Sequence, residues 1–233
     1  MTEDIYAGKD PVELPRYTYR DAARATGIAA TTIAAWFRGQ QWYSKRRTGF
    51  FRPVLAHPDP TDPRLSFNNL LEVHILRALR KVHEVKLEAV REAIGVAEKE
   101  YKVPRLLISN KLHTGGGELF LRTISDLVHL TRGHQIVMRD LFAQFLERIT
   151  VEGAHADLLP FYPFPKNPAL GTQKLILVSP YVSFGAAVVS RLGVSTATIA
   201  QRVNAGEEKA SIVEDYGLQE AEFDEAVLYE AAA

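Results

Sequence analysis

The stretch Thr18–Arg38, TYRDAARATGIAATTIAAWFR, decides the fold. Thr18 stands three residues before Asp21, the spacing at which a capping hydroxyl meets the third amide of a new helix while the acid reaches back to the cap. A short helix from Tyr19 follows. Gly27 ends it after one or two turns, because glycine takes the left-handed backbone that closes a helix at little steric cost. Thr31 is placed to cap a second helix, which carries Ile33, Trp36 and Phe37 at helical spacing and stops at Gly39. Two short helices around a glycine-containing turn have the layout of a helix-turn-helix, whose second member can enter a major groove.

Beyond Gly39, Lys45, Arg46 and Arg47 make a basic turn before an extended aromatic stretch at Phe50, Phe51 and Arg52, as a wing hairpin would. Pro53, Pro58, Pro60 and Pro63 then enforce a loop. From Leu65 to Ala97 the helical pattern is strong, with one stripe of Leu70, Val73, Leu76 and Leu79 and another of Leu87, Val90 and Ile94. The runs Leu106–Ile108, Glu118–Leu121 and Leu127–Leu130 are short and apolar and read as strands, with Gly115–Gly117 as a hairpin turn. Met138–Ile149 reads as an amphipathic helix. In 160–171, Pro160, Pro163, Pro165 and Pro168 alternate with Phe161, Tyr162 and Phe164, which favours extended backbone and a linker. A small hairpin at Leu175–Val178 and Ala187–Val189 precedes three helices near Thr196–Asn204, Lys209–Tyr216 and Glu220–Tyr229, separated by Gly206 and Gly217.

Formal net charge is zero, but the charge is sorted along the chain. Arg16, Arg20, Arg24, Arg38, Lys45, Arg46, Arg47 and Arg52 face only Asp21, whereas beyond Asn204 nine acids face Lys209 alone. A polyanion is attracted to the first segment and repelled by the last. The head side chains placed to meet DNA are Arg20, Thr31, Thr32, Trp36, Arg38, Lys45, Arg46, Arg47 and Arg52. The hydroxyls and helix cations suit the groove and its edges, and the wing cations suit phosphate. Trp36 serves equally well as core.

Other chemistry finds little support. Cysteine is absent, which excludes disulfides, thiolate metal sites and a cysteine nucleophile. The seven histidines form no paired i, i+4 motif with a third ligand, so no metal is expected. The glycine triplet lacks the lysine and hydroxyl of a phosphate-binding loop, and no serine sits in a nucleophile elbow, so neither cofactor nor catalysis is expected. The start of the chain does not read as a secretion signal and no apolar run reaches the roughly 20 residues that span a bilayer, giving a cytoplasmic expectation with no membrane partner.

The residues Tyr19–Ile28 and Thr31–Phe37, the pair Phe51-Arg52, and the stretches Leu65–Leu70 and Ala89–Ile94 resemble the winged head of MerR-like regulators, with Ala34 standing where that family carries an arginine. The segments Val178–Gly185, Thr198–Glu207 and Ile212–Leu218 resemble a small helix-turn-helix antitoxin family long described only as a domain of unknown function. Phe184, Arg191 and Leu192 depart from the glycine-rich hairpin of that family. A MerR-like head with such a tail is similar to VapB-type antitoxins. The resemblance implies neutralisation of a PIN-like ribonuclease toxin, repression of the protein's own operon through double-stranded DNA, and a homodimer. A MerR-like transcriptional regulator without a toxin is the alternative, and an enzyme built on the central segment is a third class.

The expected fold is mainly α with small β hairpins. A flexible arm (1–16) precedes a winged helix-turn-helix head (17–100), a central strand-and-helix segment (101–159), a proline-rich linker (160–172) and a C-terminal antitoxin-like helical domain (173–233).

Overall fold

In the computed structural model, residues 6, 8–43, 48–80, 85–103, 105–109, 112, 115–127, 132–149 and 159–232 are described. Helix α1 (Tyr19–Thr26) starts where the sequence places it. The Thr18 hydroxyl accepts from the Asp21 amide at 3.1 Å and the Thr18 amide donates to the Asp21 carboxylate at 2.9 Å. Gly27 closes the helix at φ +68°, its amide donating to the Ala23 carbonyl. Helix α2 (Ala30–Arg38) begins earlier than its expected cap, with Ala29 at the N-cap. Thr31 is therefore inside the first turn and caps nothing. The turn from Gly27 is so short that the helix starts as soon as the chain has reversed.

Strands β1 (Gln40–Tyr43) and β2 (Thr48–Phe51) form an antiparallel hairpin, with Gln40 opposite Phe51 and Tyr43 opposite Thr48. Helices α3 (Phe67–Arg80) and α4 (Leu87–Tyr101) follow. Leu70, Val73, Leu76 and Leu79 of the expected stripe are all buried. Glu72, His74 and Ile75 on other faces of α3 are buried too, because α1 and α6 press on it from different sides.

Over its described residues the central segment is helical, not stranded. Leu106–Ile108 is a single 3-10 turn, and Gly115–Leu127 forms α5, with Phe120, Leu121 and Ile124 buried. Residues 128–130 lie outside the described residues. Gly117 is needed for packing: a Cβ there would meet the Leu112 carbonyl oxygen at 2.0 Å. Helix α6 (Arg132–Leu146) contains most of the expected amphipathic helix, and α4 packs on α5.

The proline-rich segment is extended, as its prolines require, yet it is not a solvated linker. Phe161 is fully buried and pairs with Val178 in both directions, at 2.9 and 2.8 Å. The Arg148 guanidinium holds the segment by donating to the carbonyls of Tyr162 at 2.7 Å and Thr172 at 2.6 Å. Burial lowers Arg148 to about 10. The arm is likewise anchored over residues 8–16: Val12 is buried, Asn68 donates to the Val12 carbonyl, and Glu13 pairs with Arg105 at 2.5 Å.

Strands β3 (Ile176–Leu177) and β4 (Val188–Val189) and helices α7 (Thr196–Asn204), α8 (Lys209–Tyr216) and α9 (Glu220–Ala231) fall where the sequence predicts them. The described residues therefore give a mainly helical fold with two small antiparallel hairpins. One hydrophobic cluster runs from Val12 through Trp36, Leu70 and Phe145 to Ile199 and Tyr229. Among the described residues no helix is long and apolar enough to cross a membrane.

Candidate nucleic-acid interface

The surface of α2 follows from its periodicity. Ile33, Trp36 and Phe37 turn inward, which leaves Thr31, Ala34, Ala35 and Arg38 as the outer strip at i, i+3, i+4 and i+7. Thr31 and Arg38 are exposed, and the two alanines between them let a ligand surface approach the helix closely. Thr32 is half-buried beside this strip. Trp36 is 1 % exposed, so its place is the core and it presents no edge to a groove. Its indole nitrogen has no hydrogen-bond partner, and its carbonyl accepts from the amides of Val54 at 2.8 Å and Leu55 at 3.1 Å. That double bond ties the chain leaving the hairpin to the end of α2.

The hairpin is set tightly against α2 by glycine. A Cβ on Gly39 would meet the Phe50 ring at 2.3 Å and the Phe51 carbonyl oxygen at 2.4 Å. A Cβ on Gly49 would meet the Trp42 indole at 2.5 Å. Alternation along the strands puts Trp42 and Phe51 on one face, 6.1 Å apart, and Tyr43 and Phe50 on the other. Tyr43 is 74 % exposed and Phe50 54 %. Arg91 of α4 steadies the exit by donating to the carbonyls of Arg52 and Pro53, the second at 3.1 Å. Sequence reasoning did not find Arg91, because a surface arginine in a helix carries no sign of a partner 39 positions away.

Arg20, Arg38 and Arg52 are exposed and, among the described residues, form no ion pair. Arg38 lies 5.0 Å over the Tyr19 ring, which keeps it at the junction of α1 and α2. Tyr19 also meets His57 at 2.7 Å, and burial, then the Arg38 charge, pushes His57 below its usual range. Lys45, Arg46 and Arg47 lie outside the described residues. Arg24 is drawn away from the outer surface: its Nη1 lies 3.1 Å from Glu230 of α9 and 3.7 Å from Asp21.

The tail is the electrostatic opposite. Arg191 pairs with Glu222 at 2.7 Å, Arg202 with Glu207 at 2.5 Å and Asp215 at 2.6 Å, and Lys209 with Asp224 at 2.7 Å and Glu220 at 3.1 Å. Every cation after position 190 is thus occupied. Two tail acids are structural: Glu222 accepts from the Gln219 amide at 2.7 Å, and Glu225 accepts from the amides of Lys166 and Asn167.

His74 is fully buried among Phe145, Phe161 and Phe164. Its Nε2 lies 3.0 Å from the Phe145 carbonyl oxygen, Nδ1 has no partner, and burial lowers it to about 3. The side chains of the five other histidines apart from His57 lie outside the described residues. Among the described residues no group of three His, Cys, Asp or Glu side chains is placed to hold a metal ion.

The geometry therefore defines a mainly helical protein whose head is a helix, a glycine turn, a second helix and a hairpin, and whose tail is three helices on a small hairpin. Residues 176–229 match a family described as "Protein of unknown function (DUF433)", which covers under a quarter of the chain. No curated protein matches. Among solved structures, the crystal structure of Rv2018 from Mycobacterium tuberculosis is similar over 92 % of this chain and 98 % of its own, with a TM-score of 0.65 and 22 % identity. That likeness extends the shared fold across head, centre and tail together.

Proposed function

We propose that the protein binds double-stranded DNA through the outer strip of α2 and the β1–β2 hairpin, and represses its own operon as the antitoxin of a type II toxin–antitoxin pair. The observation that carries the DNA reading is the contrast in free charge: Arg20, Arg38 and Arg52 stand exposed with no carboxylate partner among the described residues, while every cation after position 190 is paired. Free guanidinium groups are what displace counterions from a duplex. With Lys45–Arg47 of the turn, five or six phosphate contacts would give a log–log salt slope of about −5. Fluorescence anisotropy with a labelled duplex from upstream of the gene, titrated across a range of salt, tests this. A complex indifferent to salt overturns it.

The antitoxin part is supported by the resemblance of the head to MerR-like regulators and of the tail to a small antitoxin family. The exposed acids of α8 and α9 repel DNA and leave that surface to a protein, here a PIN-like ribonuclease toxin. Co-expression with the neighbouring gene product is the test: growth is restored if the pair is correct, and continued arrest overturns it. On a palindromic operator two linked heads gain affinity through effective concentration, so a homodimer belongs to the same reading. A monomeric mass at micromolar concentration overturns that element alone.

A further inference from the structure

Among the side chains of α2 that are not buried, Ala30, Thr31, Thr32, Ala34, Ala35 and Arg38, only Arg38 carries more than a methyl or a hydroxyl. The strip from Thr31 to Arg38 rises about 10 Å along the helix. This is less than the roughly 12 Å width of a major groove, so a groove that admits Thr31 admits Arg38 as well. The small side chains at 34 and 35 let the helix come close, and the arginine then reaches furthest from its axis.

Arg38 also differs from Arg20 and Arg52 in how it is held. Its guanidinium carbon lies 5.0 Å from the centroid of the Tyr19 ring, over the ring face, whereas among the described residues Arg20 and Arg52 stack on no ring. Tyr19 is itself fixed: its hydroxyl meets Nε2 of His57 at 2.7 Å, and its ring lies 6.2 Å from Phe37, which in turn lies 5.0 Å from His57. Burial, then the Arg38 charge, pushes His57 below its usual range, so it stays neutral beside the guanidinium at neutral pH. A side chain stacked in this way loses less freedom on binding and presents its fork at a set angle. A phosphate attracts a cation in any orientation. A base edge needs two donors in one plane, and arginine, which has donors and no acceptor, matches guanine, whose O6 and N7 both accept.

We propose that Arg38 is the base-reading residue of α2 and specifies a guanine in the major groove, with Tyr19 as the positioning residue that aims its guanidinium. The inference rests on the DNA reading above and adds to it the base edge that is read. Arg20 and Arg52, exposed without a ring to orient them, contact phosphate. A cation in the groove lies between the flanking phosphates whichever edge its fork meets, so Arg38 keeps its share of the salt dependence.

The test uses the full chain and duplexes it selects from a random library, with each guanine replaced in turn by 7-deazaguanine, which lacks the N7 acceptor. Anisotropy at fixed salt gives the ratio of the two affinities. At one guanine the ratio is about tenfold for the unaltered chain. Arg38→Lys keeps the charge and loses the planar fork, so the ratio there falls to near one while the salt slope is unchanged. Arg20→Lys and Arg52→Lys leave the ratio where it was. Tyr19→Leu lowers it at least threefold, and Tyr19→Phe, which keeps the ring, restores it; a Tyr19 that only supported the fold would weaken both duplexes equally and leave the ratio unmoved. A salt-sensitive complex in which no guanine shows discrimination, or in which Arg38→Lys retains it, overturns this inference and leaves the DNA reading standing. Failure of the unaltered chain to select or bind any duplex overturns the DNA reading itself.

Discussion

The α1–α2 pair of the head and the α7–α8 pair of the tail are built alike and charged in opposite ways. Each is two short helices with an apolar inner face, and each packs against a later helix: α3 in the head and α9 in the tail. In the head, Arg20, Arg38 and Arg52 project with no carboxylate among the described residues to meet them. In the tail, Arg202 and Lys209 each sit between two acids. The lesson is that two-helix geometry does not by itself nominate a DNA-reading element. What separates the two pairs is whether their cations remain free.

The comparison presupposes that both ends hang from one centre, and acid attacks that centre with the largest expected effect. His74 is held at about 3 in the fold and near 6.5 when unfolded. A group lowered in this way favours folding fully above its unfolded value, and the gain is lost as pH falls from about 6.5 toward 3. At about 1.4 kcal/mol per unit the loss reaches about 4–5 kcal/mol. His57, also lowered, acts in the same direction. Both tryptophans, Trp36 and Trp42, are in the head. Their fluorescence therefore follows the head while far-ultraviolet dichroism follows the whole chain. Coincident acid transitions are expected, flattened in His74→Leu; two separate transitions would break the shared centre into independent units.

Removing the free charge is next. R20Q/R38Q/R52Q lowers the salt slope by about 2.7 and affinity near physiological salt by about a hundredfold. The matching change in the tail, Arg202→Gln, leaves DNA affinity where it was. If the tail variant weakens DNA binding as much as the head variant does, the contrast between the two pairs has no bearing on function. A smaller effect is expected at Glu222, a buried carboxylate that joins Arg191 to the start of α9. Glu222→Gln removes its charge and costs about 2 kcal/mol, or about 4–8 °C in Tm, with DNA affinity unchanged.

The ends of this molecule were more legible in sequence than its middle, and the reason is local. The α1 cap, Gly27, Gly39 and Gly217 mark boundaries within a few residues of what they control, so the head helices and the tail helices could be placed from the chain alone. The centre has no such marks. A short apolar run such as Glu118–Leu121 satisfies a strand and a buried helix face equally, and only the packing of Phe120 and Ile124 decides between them. The proline-rich segment shows the same limit: its extended backbone was readable, but the burial of Phe161 against Val178 was not. At the candidate interface the exposed arginines were visible as charge. Trp36 was ambiguous because helical spacing does not say which face of a nine-residue helix points inward. The fate of Arg24 was hidden altogether, since its partner Glu230 is at the far end of the sequence.

The smallest effect tests whether head and tail differ in how a helix is started. The head begins on an exposed cap in which Thr18 and Asp21 satisfy one another, the hydroxyl donating to the carboxylate at 2.7 Å. The same turn is also held by Tyr19, whose hydroxyl meets His57 at 2.7 Å, and the Tyr17–Leu65 bridge immediately precedes it. In the tail, the carboxylate that meets the amide of Gln219, the N-cap of α9, is also clamped by Arg191, so its geometry survives loss of any one partner. Thr18→Ala should therefore cost about 1 kcal/mol, near 2–4 °C in Tm, and should fray α1 before anything else. Amide exchange at Asp21 and Ala22 would then rise while exchange at Phe223 and Ala226 stays slow. Equal protection in both helices would mean that α1 is held by its buried Ala22 and Ala25 against α3, and that its cap contributes little.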